Sequence, residues 1–276
     1  MANYPLPPQE ALDLFAQTLR VTGVAHTGPE SSGHPALIGK RLGLLNGSSW
    51  IALWATYFGR AYLPGVHLIN AGNEAVQINF MTAHQAGEAV PPQKNIDVFI
   101  RSAVDLVELA QVDAVMITCS TMNRAYSQVQ VALRDYRVPV VQIDRPMMDA
   151  AVRQAVDLGG KVLVVATHGP TVGSTQTLLA EAAASHNREI EFSGLIEEEA
   201  WHRLAVGDVE GHNRLLSDGI RRSLESEPAA CVVLAQLSMT VFLLSYPDPV
   251  TQFGVPIFTS GQLGFEYMRS LLIDLP

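Results

Sequence analysis

The stretch "TCSTMN", residues 118 to 123, closes an apolar run with a thiol, two hydroxyls and an amide in succession. Cys119 is one of two cysteines in the chain, and its position admits two readings. A cysteine at a strand end is commonly a small buried hydrophobe. A thiol between a strand and a following helix is also where the helix N-terminus stabilises a thiolate, which can then carry a proton or attack. Cys231 opens the run "CVVLAQLS" and reads as core. Other side chains with chemical potential fall away. "EEEAWHRL" (197–204) offers Glu197, Glu198, Glu199 and His202, but such a run is the solvated face of a helix, no second ligand cluster accompanies it, and no metal is expected. His26 and His34 bracket "HTGPESSGHP", whose Gly, Pro and Ser content marks a loop. "GLLNGSSW" (43–50) has neither the G-x-G-x-x-G spacing nor a Gly-Lys-Ser/Thr, so no nucleotide cofactor is expected. Trp50 and Trp54 follow it and are expected to pack in the core.

The elements that must position Cys119 alternate in type. "RLGLLNG" (41–47), "VHLINAG" (66–72), "DAVMITC" (113–119) and "VPVVQID" (138–144) are strand-like, each ending in Gly, Cys or Asp. Between them, "NIDVFIRSAVDLVELAQ" (95–111) sets Ile96, Ile100, Val104 and Val107 at helical spacing. "NRAYSQVQVALRDY" (123–136) also reads as helix, with Thr121 or Asn123 as its N-cap. The second half repeats the plan. "GKVLVVATHG" (160–169), "IEFSGL" (190–195), "ACVVLAQLS" (230–238) and "VPIFTSG" (255–261) are strands, with "PTVGSTQTLLAEAAASHN" and "VEGHNRLLSDGIRRSLES" as helices. Such βα alternation predicts mainly parallel sheets with ligands at the C-terminal ends of the strands.

The halves also match each other. Cys119 precedes Pro139 of "VPVVQID" by the same twenty residues that separate Gln236 from Pro256 of "VPIFTSG". Lys40–Asn46 lies over Lys161–Thr167. The chain therefore reads as an α/β protein of two pseudo-symmetric lobes, each a mainly parallel sheet flanked by helices, with the active site in the interlobe cleft. The expected divisions are an N-terminal extension (1–40), a first lobe (41–146), a second lobe (147–260) and a C-terminal helix (261–276) that packs back on the first lobe. With 48% hydrophobic residues and a net charge of -9, the 276-residue chain is a globular protein for which nucleic-acid and membrane partners are disfavoured. The N-terminus has no basic segment followed by an apolar core, and two cysteines make no disulfide framework, so a cytoplasmic location is expected. Self-association into a homo-oligomer is left open.

Two related lobes, with "TCSTMNRA" in the first and "VVATHGPTVGSTQTLLAEAA" in the second, resemble the aspartate/glutamate/hydantoin racemase superfamily over roughly residues 40–276. The second stretch is similar to the family's strand and Thr-x-Gly-Thr turn, here Thr167, His168, Gly169, Pro170 and Thr171. "GLLNGSSW" stands where the family has its first ligand-binding turn. The resemblance implies a small carboxylate substrate bound between the lobes, no cofactor, and proton transfer at the carbon next to the carboxylate. It makes Cys119 the acid/base. Ser120, Thr121, Asn46, Ser48, Ser49, Thr167 and Thr171 become the donors that hold the carboxylate and its enediolate, while Gln236 and Ser238 line the opposite wall.

The family's racemases use two cysteines, and here the second position is Gln236, within "LAQLSM" where Gly-Cys-Thr would stand. An amide cannot exchange a proton at neutral pH. Three readings follow: an isomerase with His168 as second acid/base, a one-thiol decarboxylase that protonates an enediolate, or a carboxylate binder without catalysis. Arg124 and Arg145 are the basic residues nearest these turns, which argues for one compact acid group rather than a dicarboxylate.

Overall fold

Val, Leu and Ile runs without polar alternation are what strands covered on both faces require, and they become the strands of two sheets. The structure is a computed structural model and describes residues 5–23 and 33–275. The first sheet holds β1 (Arg41–Asn46), β2 (His67–Gly72), β3 (Ala114–Ile117) and β4 (Val140–Gln142) in the order β2-β1-β3-β4. The second holds β5 (Val162–Ala166), β6 (Phe192–Ile196), β7 (Cys231–Leu234) and β8 (Ile257–Thr259) in the order β6-β5-β7-β8. Every pairing is parallel, and the two orders are the same. Inner strands β3, β5 and β7 are buried at each residue, while edge strands β2 and β6 are partly exposed.

The helices are α1 (Pro8–Thr22), α2 (Ser49–Tyr62), α3 (Glu74–Gln85), α4 (Gln93–Glu108), α5 (Tyr126–Ala132) and α6 (Arg145–Leu158), then α7 (Gly169–Ser185), α8 (Glu198–Ala205), α9 (Val209–Ser226), α10 (Phe242–Ser245), α11 (Pro249–Phe253) and α12 (Ser260–Asp274). The expected helix over 95–111 is α4, which buries Ile96, Phe99, Ala103 and Leu106 on one stripe. The single helix expected over 123–136 is instead broken. A 3₁₀ turn, Ser120–Ala125, precedes α5, and a second, Arg134–Tyr136, follows it. Neither expected cap forms, because Thr121 is bonded to the Cys119 sulfur and the Asn123 amide donates to Asp144.

The register of the repeat is pinned by backbone bonds. Thr118 N–H donates to Leu45 O at 3.1 Å, and Ala235 N–H donates to Val165 O at 2.9 Å. Val115 N–H bonds Pro139 O just as Val232 N–H bonds Pro256 O. With Cys119 over Gln236, Leu45 therefore lies over Val165, Asn46 over Ala166 and Gly47 over Thr167. The overlay of Lys40–Asn46 on Lys161–Thr167 is thus one residue out. A strand buried on both faces has no polar alternation to mark a slip of one.

The lobes are tied by an exchange of helices. Helix α6 leaves the first sheet and packs Met147, Met148, Ala151 and Ala155 on β5 and β7. Helix α12 leaves the second sheet and packs Phe265, Met268 and Leu272 on the first lobe, in one cluster with Leu42, Leu44, Phe58 and Leu63. Each of those three α12 side chains is fully buried, which contributes roughly 1.5–3 kcal/mol apiece. The crossing is close at Gly264, where a Cβ would stand 2.6 Å from the Ile143 carbonyl oxygen. Among the described residues, no helix is long and apolar enough to cross a membrane. His26 lies outside the described residues, and His34 turns its Nδ1 to the Ala36 N–H as a cap.

Candidate functional site

The first lobe delivers Cys119 through Thr118, whose hydroxyl donates to Leu45 O at 2.9 Å and to Asn46 Oδ1 at 2.6 Å. These bonds close the gap between β1 and β3 and fix the chain direction at the next residue. Cys119 is 3% exposed, with its sulfur 3.1 Å from the Thr121 hydroxyl oxygen. Beneath it lies Gly47, where any Cβ would stand 2.7 Å from the sulfur, so the glycine makes the sulfur's place. Burial pushes the thiol above its ordinary cysteine value. The Thr121 hydroxyl and the Met122 and Thr121 N–H groups oppose that rise, and the Asp144 carboxylate adds to it. A thiolate-stabilising turn was expected, but the donors are outweighed: desolvation of a nearly enclosed sulfur is the larger effect, and the resting thiol is protonated.

From the second lobe, Gln236 leaves β7 at the position equivalent to Cys119. Its Oε1 accepts from the Thr167 N–H and the Thr167 hydroxyl, both at 2.8 Å. His168 follows β5, with its ring edge-on to Trp201 at 5.0 Å between centroids. Its pKa is lowered, first by burial and then by His202, with Glu198 opposing, so the imidazole is neutral at pH 7. Cys231 is core: it is fully buried at the start of β7, and its thiol is pushed up to about 12 by burial.

A cavity of about 360 Å³ opens between these two turns. Cys119, Ser48, Ser120 and Thr121 line it from the first lobe, and His168, Thr171, Gln236 and Ser238 from the second. Three expected donors do not line it. Asn46 donates to Leu44 O and Asn70 Oδ1 and ties β1 to β2. Ser49 gives its N–H, at 2.8 Å, and its hydroxyl to Glu74. Thr167 is committed to Gln236. Each is within a residue or two of the cavity, but a strand-to-helix turn sends successive side chains in different directions. The Ser48 hydroxyl is buried without a hydrogen-bond partner, an arrangement that a bound acceptor would resolve, and the buried Ser120 hydroxyl makes no seated bond but stands beside Asp144.

The remaining wall is one the sequence did not announce. Trp50, Ile51 and Met81 come from the first lobe, and Trp201 and Leu237 from the second. Trp50, expected in the core, meets Trp201 edge-to-face at 5.2 Å across the cleft. Trp201 sits in the run "EEEAWHRL", read for its charges; its apolar spacing within α8 was the available signal. Gln77 and Glu74 complete the rim. A larger depression of about 550 Å³ lies by Lys161, Glu191 and Pro228 at the start of β5. It is at the wrong end of a parallel sheet for ligand binding and holds neither thiol nor imidazole.

Behind the cavity stands Asp144, 1% exposed at the head of α6. Burial lifts its carboxyl from 3.8 to about 6, against the Ser120, Asn123 and Ser260 side chains that pull it down. Asn123 donates to its Oδ2, whereas Oδ1 and the Ser120 and Ser260 hydroxyls are near one another without a seated bond. Its sequence signal was the Asp that ends "VPVVQID".

The sequence model described as Asp/Glu/hydantoin racemase matches residues 66–268. Among solved structures, an aspartate racemase homologue from Pyrococcus horikoshii OT3 is similar with a TM-score of 0.60 at 17% identity, covering 85% of this chain and 100% of that one. Glutamate racemase from Francisella tularensis, solved with D-glutamate, gives 0.58 at 14% identity, with 85% of this chain and 81% of that chain covered. Allantoin racemase from Klebsiella pneumoniae gives 0.57 at 13%, covering 85% and 88%. At these identities the likeness is one of fold. No curated protein sequence matches the chain.

Proposed function

The chain belongs to the Asp/Glu/hydantoin racemase family, and from that premise we propose that it is a racemase-type isomerase moving a proton, without a cofactor, at a carbon next to a carboxylate. The observation that carries this reading is the cavity shared by the Cys119 sulfur and the His168 imidazole, one from each lobe. Their environments drive their protonation apart: burial keeps the thiol protonated and the imidazole neutral. One is then a ready acid and the other a ready base.

In the forward direction the substrate carboxylate accepts hydrogen bonds from the unpartnered Ser48 hydroxyl and from those of Ser120 and Thr121. His168 takes the α-proton, and the electron pair moves into the carboxylate to give an enediolate. Cys119 delivers its proton to the opposite face, leaving a thiolate and an imidazolium. These two exchange with water, or they process the mirror-image substrate in the reverse direction. Gln236 occupies the place of a second thiol and, through Thr167, keeps the second-lobe turn in shape.

The test is incubation of α-chiral acids in D2O with wild type, Cys119→Ser and His168→Gln. Deuterium at the α-carbon with loss of optical purity supports the isomerase, and loss of either group should cost about 100-fold or more. Turnover unchanged in Cys119→Ser sinks the proposal. One observation favours a second reading. A thiol protonated at rest is better prepared to donate than to abstract, as a decarboxylase requires when it protonates an enediolate left by loss of CO2. Deuterium in a product one carboxyl shorter, with no exchange of the remaining acid, would select that reading.

A further inference from the structure

We infer that the site takes an acid whose α-carbon bears a flat apolar group and no side-chain carboxylate, with that group held by Trp50 and Trp201. This rests on the proton-transfer reading of the site and supplies its substrate class. The cavity has both polar and apolar lining. Hydroxyls come from the strand ends of both lobes, the thiol from the first and an amide and an imidazole from the second, whereas Trp50, Ile51, Met81, Trp201 and Leu237 supply an apolar lining to which both lobes contribute. Trp50 and Trp201 stand edge-to-face at 5.2 Å, and Trp201 continues to the His168 ring at 5.0 Å. Such a row presents ring faces and edges at the spacing that a further ring adopts.

Charge excludes the alternative. No Lys or Arg is among the described residues lining the cavity. A second carboxylate on the side chain would lose water without gaining a cation. It would also face Glu74, whose carboxylate is held ionised at the rim by the Ser49 hydroxyl and N–H. One carboxylate, by contrast, meets the buried Ser48 hydroxyl, which has no partner, and the Ser120 hydroxyl beside Asp144.

The chain's three tryptophans, Trp50, Trp54 and Trp201, stand in one contact row, so their emission reports entry to this cavity. The probes are 2-phenylpropanoate and 2-methylsuccinate, both chiral at the α-carbon. Full-length wild type and Cys119→Ser are titrated with each, and α-deuteration in D2O is followed by NMR. The expected result is saturable quenching by 2-phenylpropanoate in both proteins, at least about tenfold tighter than for 2-methylsuccinate. Trp201→Leu and, separately, Trp50→Leu should each remove most of that preference while leaving the melting profile cooperative. Tighter binding of 2-methylsuccinate, or no binding of 2-phenylpropanoate, overturns the substrate class. Binding of 2-phenylpropanoate without α-deuteration by wild type leaves the class standing and removes the proton-transfer reading. Deuteration of 2-methylsuccinate alone does the reverse.

Discussion

Replacement of Gly47 by alanine separates the position of the sulfur from the stability of the fold. The added methyl would stand 2.7 Å from Cys119 Sγ, 3.5 Å from Cys119 Cβ and 3.6 Å from Gln77 Oε1. The last two are ordinary contacts, so a single atom must yield. Unstrained contact begins near 3.5–4.0 Å, so the sulfur has to retreat by about 1 Å. Cysteine has one side-chain torsion, and turning it takes the sulfur off the Thr121 hydroxyl, now 3.1 Å away. A displacement of that size costs about 100-fold in a reaction that depends on alignment. The fold should suffer far less, about 1–3 kcal/mol for one overpacked methyl, or a few degrees in Tm per kcal/mol. The assay is α-deuteration of 2-phenylpropanoate in D2O beside a thermal melt, with Cys119→Ser as the floor. Gly173→Ala is the control: it has open space around it on an exposed turn of α7, so it should gain about 0.5–1 kcal/mol and keep full exchange. A cooperatively folded Gly47→Ala that deuterates within twofold of wild type would refute the claim that the sulfur acts from its observed place.

The Cys119 thiol, raised by burial, should alkylate slowly with iodoacetamide at pH 7, with the rate rising only above the ordinary cysteine range; Asp144→Asn removes the carboxylate that adds to the rise and should bring the onset to lower pH. A rate already at its plateau at pH 7 would show a thiolate instead. Asp144 itself favours its protonated form in the native state, so its contribution is fully present below 3.8 and is lost as pH climbs through about 6. From that difference, urea titrations of Asp144→Asn should gain up to about 3 kcal/mol on wild type between pH 4 and pH 8; a gap that stays flat or narrows counts against the raised carboxyl. Gln236→Ala strips the acceptor from the Thr167 N–H and hydroxyl and should cost about 1–3 kcal/mol in denaturant unfolding, largely recovered by Gln236→Glu, which keeps an oxygen there. Equal stability of all three would mean that the two bonds contribute nothing.

What could be read from the sequence and what could not divide along a physical line. Sheet membership, the repeat and the pairing of Cys119 with Gln236 were legible because each is local: an apolar run, then a turn of small residues, then a proline at fixed distance. The one-residue slip in overlaying β1 on β5 came from the same source, since a strand buried on both faces carries no alternation to fix its register. The protonation of Cys119 was not legible. A turn rich in N–H donors argues for a thiolate, and only the three-dimensional burial of the sulfur, beside a buried Asp144, reverses that balance. The apolar wall was hidden for a different reason. Trp50 and Trp201 are 151 positions apart, on helices of different lobes, and meet only because the lobes face each other across the cleft. Chemistry written into one turn shows in the sequence; specificity built by two lobes does not. Opposite the Cys119 turn the second lobe carries no thiol in the cavity lining but an amide, an imidazole and an indole, those of Gln236, His168 and Trp201. On the proposed reading the thiol sets the class of reaction, while His168 and Trp201, both from the second lobe, set how the proton leaves and which acid is admitted.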